Sequence, residues 1–340
     1  MTVEYSATIG PTCQAQAQSR GTRANILFSS ELSHLKTWEY IELPVRTFTW
    51  NDLNSLLKFA GDIQADNPKD QLTRARDLKE ILKQPTFQAE TNCFVLENDG
   101  IINGCCIVFL EQQIERAVLA VDISPDLAAS SEEVALIRQG MELAKGSGSS
   151  VAHICLGNDA PRSDLLASEK FTLARTYLHM LWKHESLPQI TLPDGSSTRL
   201  YTSNDIEQLT HIQNAAFEGS WGFCPNTIEE LEYRTAMSNT SYECIVFLED
   251  GINTAAYCWG CIAPFNGNTR GIISMVGVHP LYRGKGLSKP ILIAGMSQLR
   301  TLSVDGISLH VDSSNIPAIK LYESVGFEEI DQLHWYEYKF

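Results

Sequence analysis

The 340-residue chain has no apolar run approaching the eighteen or so uninterrupted residues that a membrane-spanning helix needs, so no membrane partner is expected. A charged-then-apolar secretory pattern is also missing from its first residues. Basic residues are scarce, with 26 Lys and Arg against 41 Asp and Glu and a formal net charge of −15. A nucleic-acid partner would require a basic face, so that class is set aside. An acidic surface suits an amine-bearing acceptor better. The P-loop spacing G-x-x-x-x-G-K-[ST] does not occur. The dinucleotide pattern G-x-G-x-x-G fails at its third glycine, because Gly284-Lys285-Gly286 is followed by Lys289 at that place. The nine cysteines are odd in number and scattered, which predicts free thiols and a cytoplasmic setting rather than a disulfide framework. Cys258 and Cys261 form a C-x-x-C inside a strand-like run. Odd spacing there turns the thiols to opposite faces, so core packing is expected and no metal site.

The informative stretch is Ile272 to Phe327. Ile272 to Val278 has the length and β-branching of a buried strand, and Pro280 ends it. A glycine-rich basic turn follows, Arg283-Gly284-Lys285-Gly286-Leu287-Ser288, and then an apolar helical pattern through Ile291, Leu292 and Gly295. Strand, glycine turn and helix start are what a phosphate group requires. Glycine lets backbone N–H groups approach an anion, and the first turn of a helix points unpaired donors at it. A second block begins about thirty residues on. Ile307 to Val311 reads as a short strand. Asn315 is a natural N-cap, Pro317 falls within the first turn, and Gly326 is a stop signal. Asn315 and Tyr322 are seven residues apart and so share one side of this helix.

Together the two blocks resemble the GNAT acetyltransferase superfamily. Arg283-Gly284-Lys285-Gly286-Leu287-Ser288 follows its [QR]-x-x-G-x-[GA] pattern except that Ser288 replaces the final small residue. Asn315, Ala318, Leu321, Tyr322, Gly326 and Phe327 follow its N-x-x-A-x-x-L-Y-x-x-x-G-F helix. The resemblance is close over residues 197 to 340.

Residues 40 to 185 repeat the same order more weakly. Val121-Asp122-Ile123-Ser124-Pro125 parallels Val276 to Pro280 at an offset of 155, and Phe171 parallels Phe327 at an offset of 156. The chemistry is not repeated: Asp126 to Glu133 has neither glycine nor base, and its carboxylates would repel a pyrophosphate. The expected architecture is therefore α/β, with two tandem GNAT-like domains. Each is a mixed, mostly antiparallel sheet flanked by helices, and the first is degenerate. In layout this is similar to mycothiol synthases, two-domain members of the superfamily. The expected boundaries are a disordered tail at 1–35, a degenerate domain at 40–185, a linker at 186–198 and a catalytic domain at 199–340.

The resemblance implies an N-acetyltransferase that moves the acetyl group of acetyl-CoA, as co-substrate, to a primary amine of a small molecule or peptide. It places the pyrophosphate at Arg283, Gly284, Lys285, Gly286, Leu287 and Ser288. It places the pantetheine arm along Val276 and Val278 of a splayed strand, within reach of Asn315. Tyr322 is the implied acid for the departing thiolate. The base is left open. Some members carry a Glu near the start of this strand, but that place falls at Ile272. Glu218, Glu243 and His310 are the side-chain candidates beside a water chain. Glu218 leads, because Phe217 to Phe223 sets aromatics beside a carboxylate. A non-catalytic acyl-CoA-binding or regulatory protein is the alternative.

Overall fold

The computed structural model describes residues 45–64, 68–240, 242–265 and 267–340; the expected tail at 1–35 lies outside them. Among the described residues twelve strands form one sheet in the order β1-β2-β3-β4-β5-β12-β6-β11-β10-β9-β8-β7. The first-half strands are β1 (Val45–Thr47), β2 (Cys93–Asn98), β3 (Ile101–Glu111), β4 (Arg116–Ile123), β5 (Val151–Leu156) and β6 (Thr172–Trp182). The second-half strands are β7 (Ser196–Leu200), β8 (Ile245–Asp250), β9 (Asn253–Phe265), β10 (Asn268–Val278), β11 (Ile307–Asp312) and β12 (Glu328–Lys339). Ser196 already belongs to β7, inside the stretch expected as linker. The sheet is mostly antiparallel, and its two parallel pairs are β4–β5 and β10–β11.

The last strand of each half crosses to the other. β6 pairs with β11 along its length, Trp182 facing Ile307 and Tyr177 facing Asp312. β12 pairs with β5, His334 facing Leu156 and Lys339 facing Val151. The two exchanged strands then pair with each other at the centre of the sheet.

Helices cover both faces. On one face lie α1 (Leu53–Gln64), α2 (Pro68–Leu82) and the single turn α3 (Ala89–Asn92), and in the second half α6 (Ile206–Phe217) and α7 (Ile228–Thr235). On the other face lie α4 (Ser131–Gly146), α5 (Ala160–Ser168), α8 (Ser288–Thr301) and α9 (Ile316–Glu323). Strand alternation distributes the exchanged side chains between these layers. Met180 and Trp182 of β6 pack with α8 in the second-half core, whereas Leu333 and Trp335 of β12 pack with α1 and α2 in the first-half core. Trp182 is 1% exposed and its indole N–H donates to Val325 O at 3.2 Å. Loss of a buried tryptophan costs about 3–5 kcal/mol, so each half depends on a side chain supplied by the other.

This topology makes a specific prediction. Cleavage between residues 186 and 195 should leave both fragments associated, because β6 and β12 still complete the partner's sheet. Size-exclusion chromatography of the nicked protein should show one species of intact size that separates only in denaturant. Spontaneous separation of two folded fragments in native buffer would contradict the exchange.

Candidate active site

The site begins where β10 and β11 part. Their parallel pairing runs only through Gly271–Ile307, Ile272–Ser308 and Ile273–Leu309, and β10 shifts register against β9 between Ile273 and Met275. Beyond that bulge β10 stays on β9 and leaves β11. The His279 N–H bonds Ala255 O, so alternation turns the backbone groups of Val278 and Val276 toward the gap. Apart from Val278 O, which the Arg283 side chain reaches, these groups form a strand edge that an amide-bearing arm can extend. Gly277 lies between them, under the last turn of α6. A Cβ there would meet Ala216 Cβ at 2.8 Å and the Tyr257 ring at 3.0 Å, so only glycine admits the close approach.

The turn after β10 supplies the charge. Gly284 and Gly286 have φ of +79° and +76°, and nothing lies within 4 Å of a Cβ at either. Leu287, 4% exposed, anchors the turn in the core at the N-cap of α8, and no side chain caps that helix. The helix therefore presents its first N–H groups at Ser288 and Lys289 beside the exposed Lys285. The Arg283 guanidinium donates to Ala216 O at 2.8 Å and to Val278 O at 3.4 Å, fastening the turn to α6. Lys285 Nζ lies 4.5 Å from the Tyr282 ring centroid.

On the far side of the gap, Asn315 Oδ1 accepts from the Ala318 N–H at 3.3 Å and caps α9. Tyr322 lies two turns along, 7% exposed, with its ring 5.9 Å from Phe327. Burial, with Cys258 nearby, pushes its phenol well above the ordinary value, so it carries its proton at neutral pH. Val276, Val278, the 283–288 turn, Asn315 and Tyr322 thus lie on the elements that flank the fork between β10 and β11. Glu218 is exposed at the C-terminal end of α6, next to that fork on its other face. Cys258 faces α8, and Cys261 faces away and bonds Ser274 Oγ at 3.0 Å, which places the two thiols on opposite sides of the sheet.

The matching cleft of the first half is filled by its own side chains. β4 and β5 also part after Leu119–Ile154. However, Ser130 Oγ accepts from the N–H groups of Glu132 and Glu133 at the start of α4. Glu133 Oε2 accepts from Ala129 N–H at 2.7 Å. Arg162 of α5 pairs with Glu133 and donates to Val121 O at 3.1 Å, at the place corresponding to Val276. Two helix N–H groups, the Val121 carbonyl of the strand edge and the Arg162 charge are thus satisfied internally.

The first half contributes to the second in another way, which sequence reading missed. The 218–227 loop rests on it through Trp221, whose ring lies 5.1 Å from His153, 6.0 Å from Trp335 and 6.3 Å from Tyr177. Arg116, 3% exposed and paired with Glu111, donates to Gly222 O. Burial and the Arg116 charge push the His153 imidazole down to about 4, against the opposing pull of Glu337. No local motif marks these residues, because they meet only through the strand exchange.

A forked strand pair with an uncapped helix start and a basic glycine turn beside it is an arrangement able to hold an anionic, amide-bearing ligand. Residues 206–327 match the Acetyltransferase (GNAT) family. The second half thus carries a GNAT domain, the chain is an acyltransferase of GNAT type, and its fold is shared with tandem GNAT proteins. Among its relatives is the mycothiol acetyltransferase of Thermomonospora curvata. That protein is 29% identical over 242 residues, which cover 65% of this chain and 78% of the relative. The mycothiol acetyltransferase of Segniliparus rotundus is 27% identical over 262 residues, covering 74% of this chain and 96% of its own. Two solved structures share the fold. A GCN5-related N-acetyltransferase from Sphaerobacter thermophilus has a TM-score of 0.65 at 15% identity, covering 87% of this chain and 95% of that one. A tandem GNAT protein from the clavulanic acid biosynthesis pathway has a TM-score of 0.64 at 15% identity, covering 88% and 98%.

Two measurements follow from this geometry. Gly286→Glu places a carboxylate at the uncapped helix start and strains a positive φ; acetyl-CoA affinity by calorimetry should fall by more than tenfold, whereas Gly286→Ala should lose far less. The depressed His153 makes the fold lose stability on acidification. Its folded pKa lies below the unfolded value, so its contribution is present above pH 6.5 and declines as pH falls toward 4. Urea unfolding should show about 2 kcal/mol less from this group at pH 5 than at pH 7. His153→Gln should remove that part of the slope, and an unchanged slope would contradict the assignment.

Proposed function

We propose that the second half transfers the acetyl group of acetyl-CoA to a primary amine of a small molecule. The 283–288 turn would hold the pyrophosphate, and Val276 and Val278 would pair with the pantetheine amides. Tyr322 would protonate the departing sulfur as the amine nitrogen bonds the carbonyl carbon. The observation that carries this reading is the contrast between the two clefts: one is open, basic and lined by a buried protonated phenol, and the other is filled by Arg162 and Glu133. The mycothiol acetyltransferases among the relatives make a mycothiol-related amine the first acceptor to try. The loop carrying Trp221 would form the acceptor wall, which gives the first half its part in acceptor placement. Among the described residues the cysteines are free thiols, in keeping with a reducing compartment such as the cytoplasm. No helix among them is long and apolar enough to cross a membrane.

A second reading, a non-catalytic acyl-CoA-binding protein, draws on Ile272. It is 8% exposed and apolar where some members of the superfamily carry a Glu. Tyr322→Phe separates the two. The ring and its packing stay, so the Kd for acetyl-CoA should change by less than threefold. Turnover should fall roughly 10²–10⁴-fold, the usual worth of a placed acid, and the loss should lie in kcat. A loss below threefold with chemistry rate-limiting would reduce Tyr322 to a packing residue.

A further inference from the structure

Acetyl transfer at neutral pH needs a group that takes a proton from the incoming ammonium, and Ile272 cannot do so. The search for that group is narrowed by faces. Ile273, Leu309 and Val311 pack with α8 on the coenzyme face. Alternation therefore turns Ile272, Ser308, His310 and Asp312 to the opposite face, under α6 and the Trp221 loop. His310 is the first β11 residue beyond Ile273–Leu309, the last pair before the strands part. It thus stands at the fork, one strand over from Ile272 and on the same face. Directly across the ladder is His179 of the exchanged strand β6. The two imidazoles are stacked, with centroids 4.5 Å apart and planes 30° from parallel.

We propose that His310 is the base that deprotonates the acceptor amine, and that His179, supplied by the first half, is a positioning residue that stacks on it. The inference rests on the acyltransferase reading above. Burial, and the neighbouring His179, hold the His310 ring down to about 3, so it is neutral throughout the physiological range and passes on at once any proton it takes. His179 is likewise held down by burial, with Asp331 pulling the other way and Arg270 adding to the depression. In the reaction His310 takes one proton from the ammonium and releases it to solvent. The freed nitrogen lone pair forms the N–C bond as the C–S bond breaks. The second proton lost from nitrogen balances the one that Tyr322 gives to sulfur.

The test compares two nucleophiles with wild type and His310→Gln, an uncharged variant of similar reach. Ethanolamine is protonated at pH 7 and needs a base; hydroxylamine is largely unprotonated and does not. The variant should acetylate ethanolamine roughly 10²-fold more slowly, the usual worth of a placed base. Its rate with hydroxylamine and its Kd for acetyl-CoA should stay within threefold of wild type. Equal slowing of both nucleophiles, or of neither, overturns the proposal while leaving the acyltransferase reading standing. If wild type binds acetyl-CoA and turns over neither nucleophile nor a mycothiol-related amine, the amine-acetylation reading falls and this proposal falls with it. Should the Gln variant lose acetyl-CoA affinity, His310→Asn is read by the same two ratios.

Discussion

The pairing of β6 with β12 at the centre of the sheet is the contact on which the other features depend. Because these strands have changed places, the two halves share one continuous ladder of backbone hydrogen bonds and cannot move as hinged bodies. The exchange places Tyr177 and His179 opposite Asp312 and His310, and it places Trp335 and Glu337 against His153. The sheet face beneath the Trp221 loop consequently carries side chains from both halves. Further contacts fix the same relation from above, among them the Tyr233 hydroxyl donating to Glu80 O at 2.7 Å and the Gly267 N–H donating to Asp70 Oδ2 at 3.2 Å.

The asymmetry between the clefts is an electrostatic one imposed on a common backbone. Both strand pairs fork at matching places, and both second strands lead to a capped helix, by Asp159 in one half and Asn315 in the other. What differs is where charge and donors are satisfied. In the first half Ser130, Glu133 and Arg162 satisfy the helix start and the strand edge from within. A buried, well-bonded ion pair of this kind is costly to break from either side, which makes the closed cleft a rigid support. In the second half the same groups are left facing outward.

The sequence carried the local part of this structure well. The β10 strand, the glycine turn, the α8 start and the Asn315 cap each depend on residues within a few positions of one another, and each was legible from spacing and residue type. The repeated order of elements was legible for the same reason. The strand exchange was not, because β6 and β12 have the same alternating pattern whichever neighbour they choose; pairing partners are decided by contacts more than a hundred residues apart. Everything built across that exchange was hidden with it, including the Arg116–Gly222 contact and the stacking of His179 on His310. His310 itself could be singled out from its place beside the fork, but the aromatic residues of 217–223 put Glu218 ahead of it. In the structure Glu218 is exposed at the end of α6, whereas His310 is half-buried at the fork.

The exchange also bears on how the chain is made. β12 is the last element in the sequence, and its partner β5 lies more than 170 residues earlier. As the chain emerges from the ribosome, the first half has all its helices and five strands long before the strand that seals its sheet exists. Until then β5 presents an open edge with Ala152, Ile154 and Leu156 alternating along it, the kind of edge to which other strands add. Final closure is a long-range event with a large loop-closure cost, so maturation is slow and waits on the synthesis of β12. Expression would then be governed less by the stability of the finished sheet than by how well the unfinished one is protected.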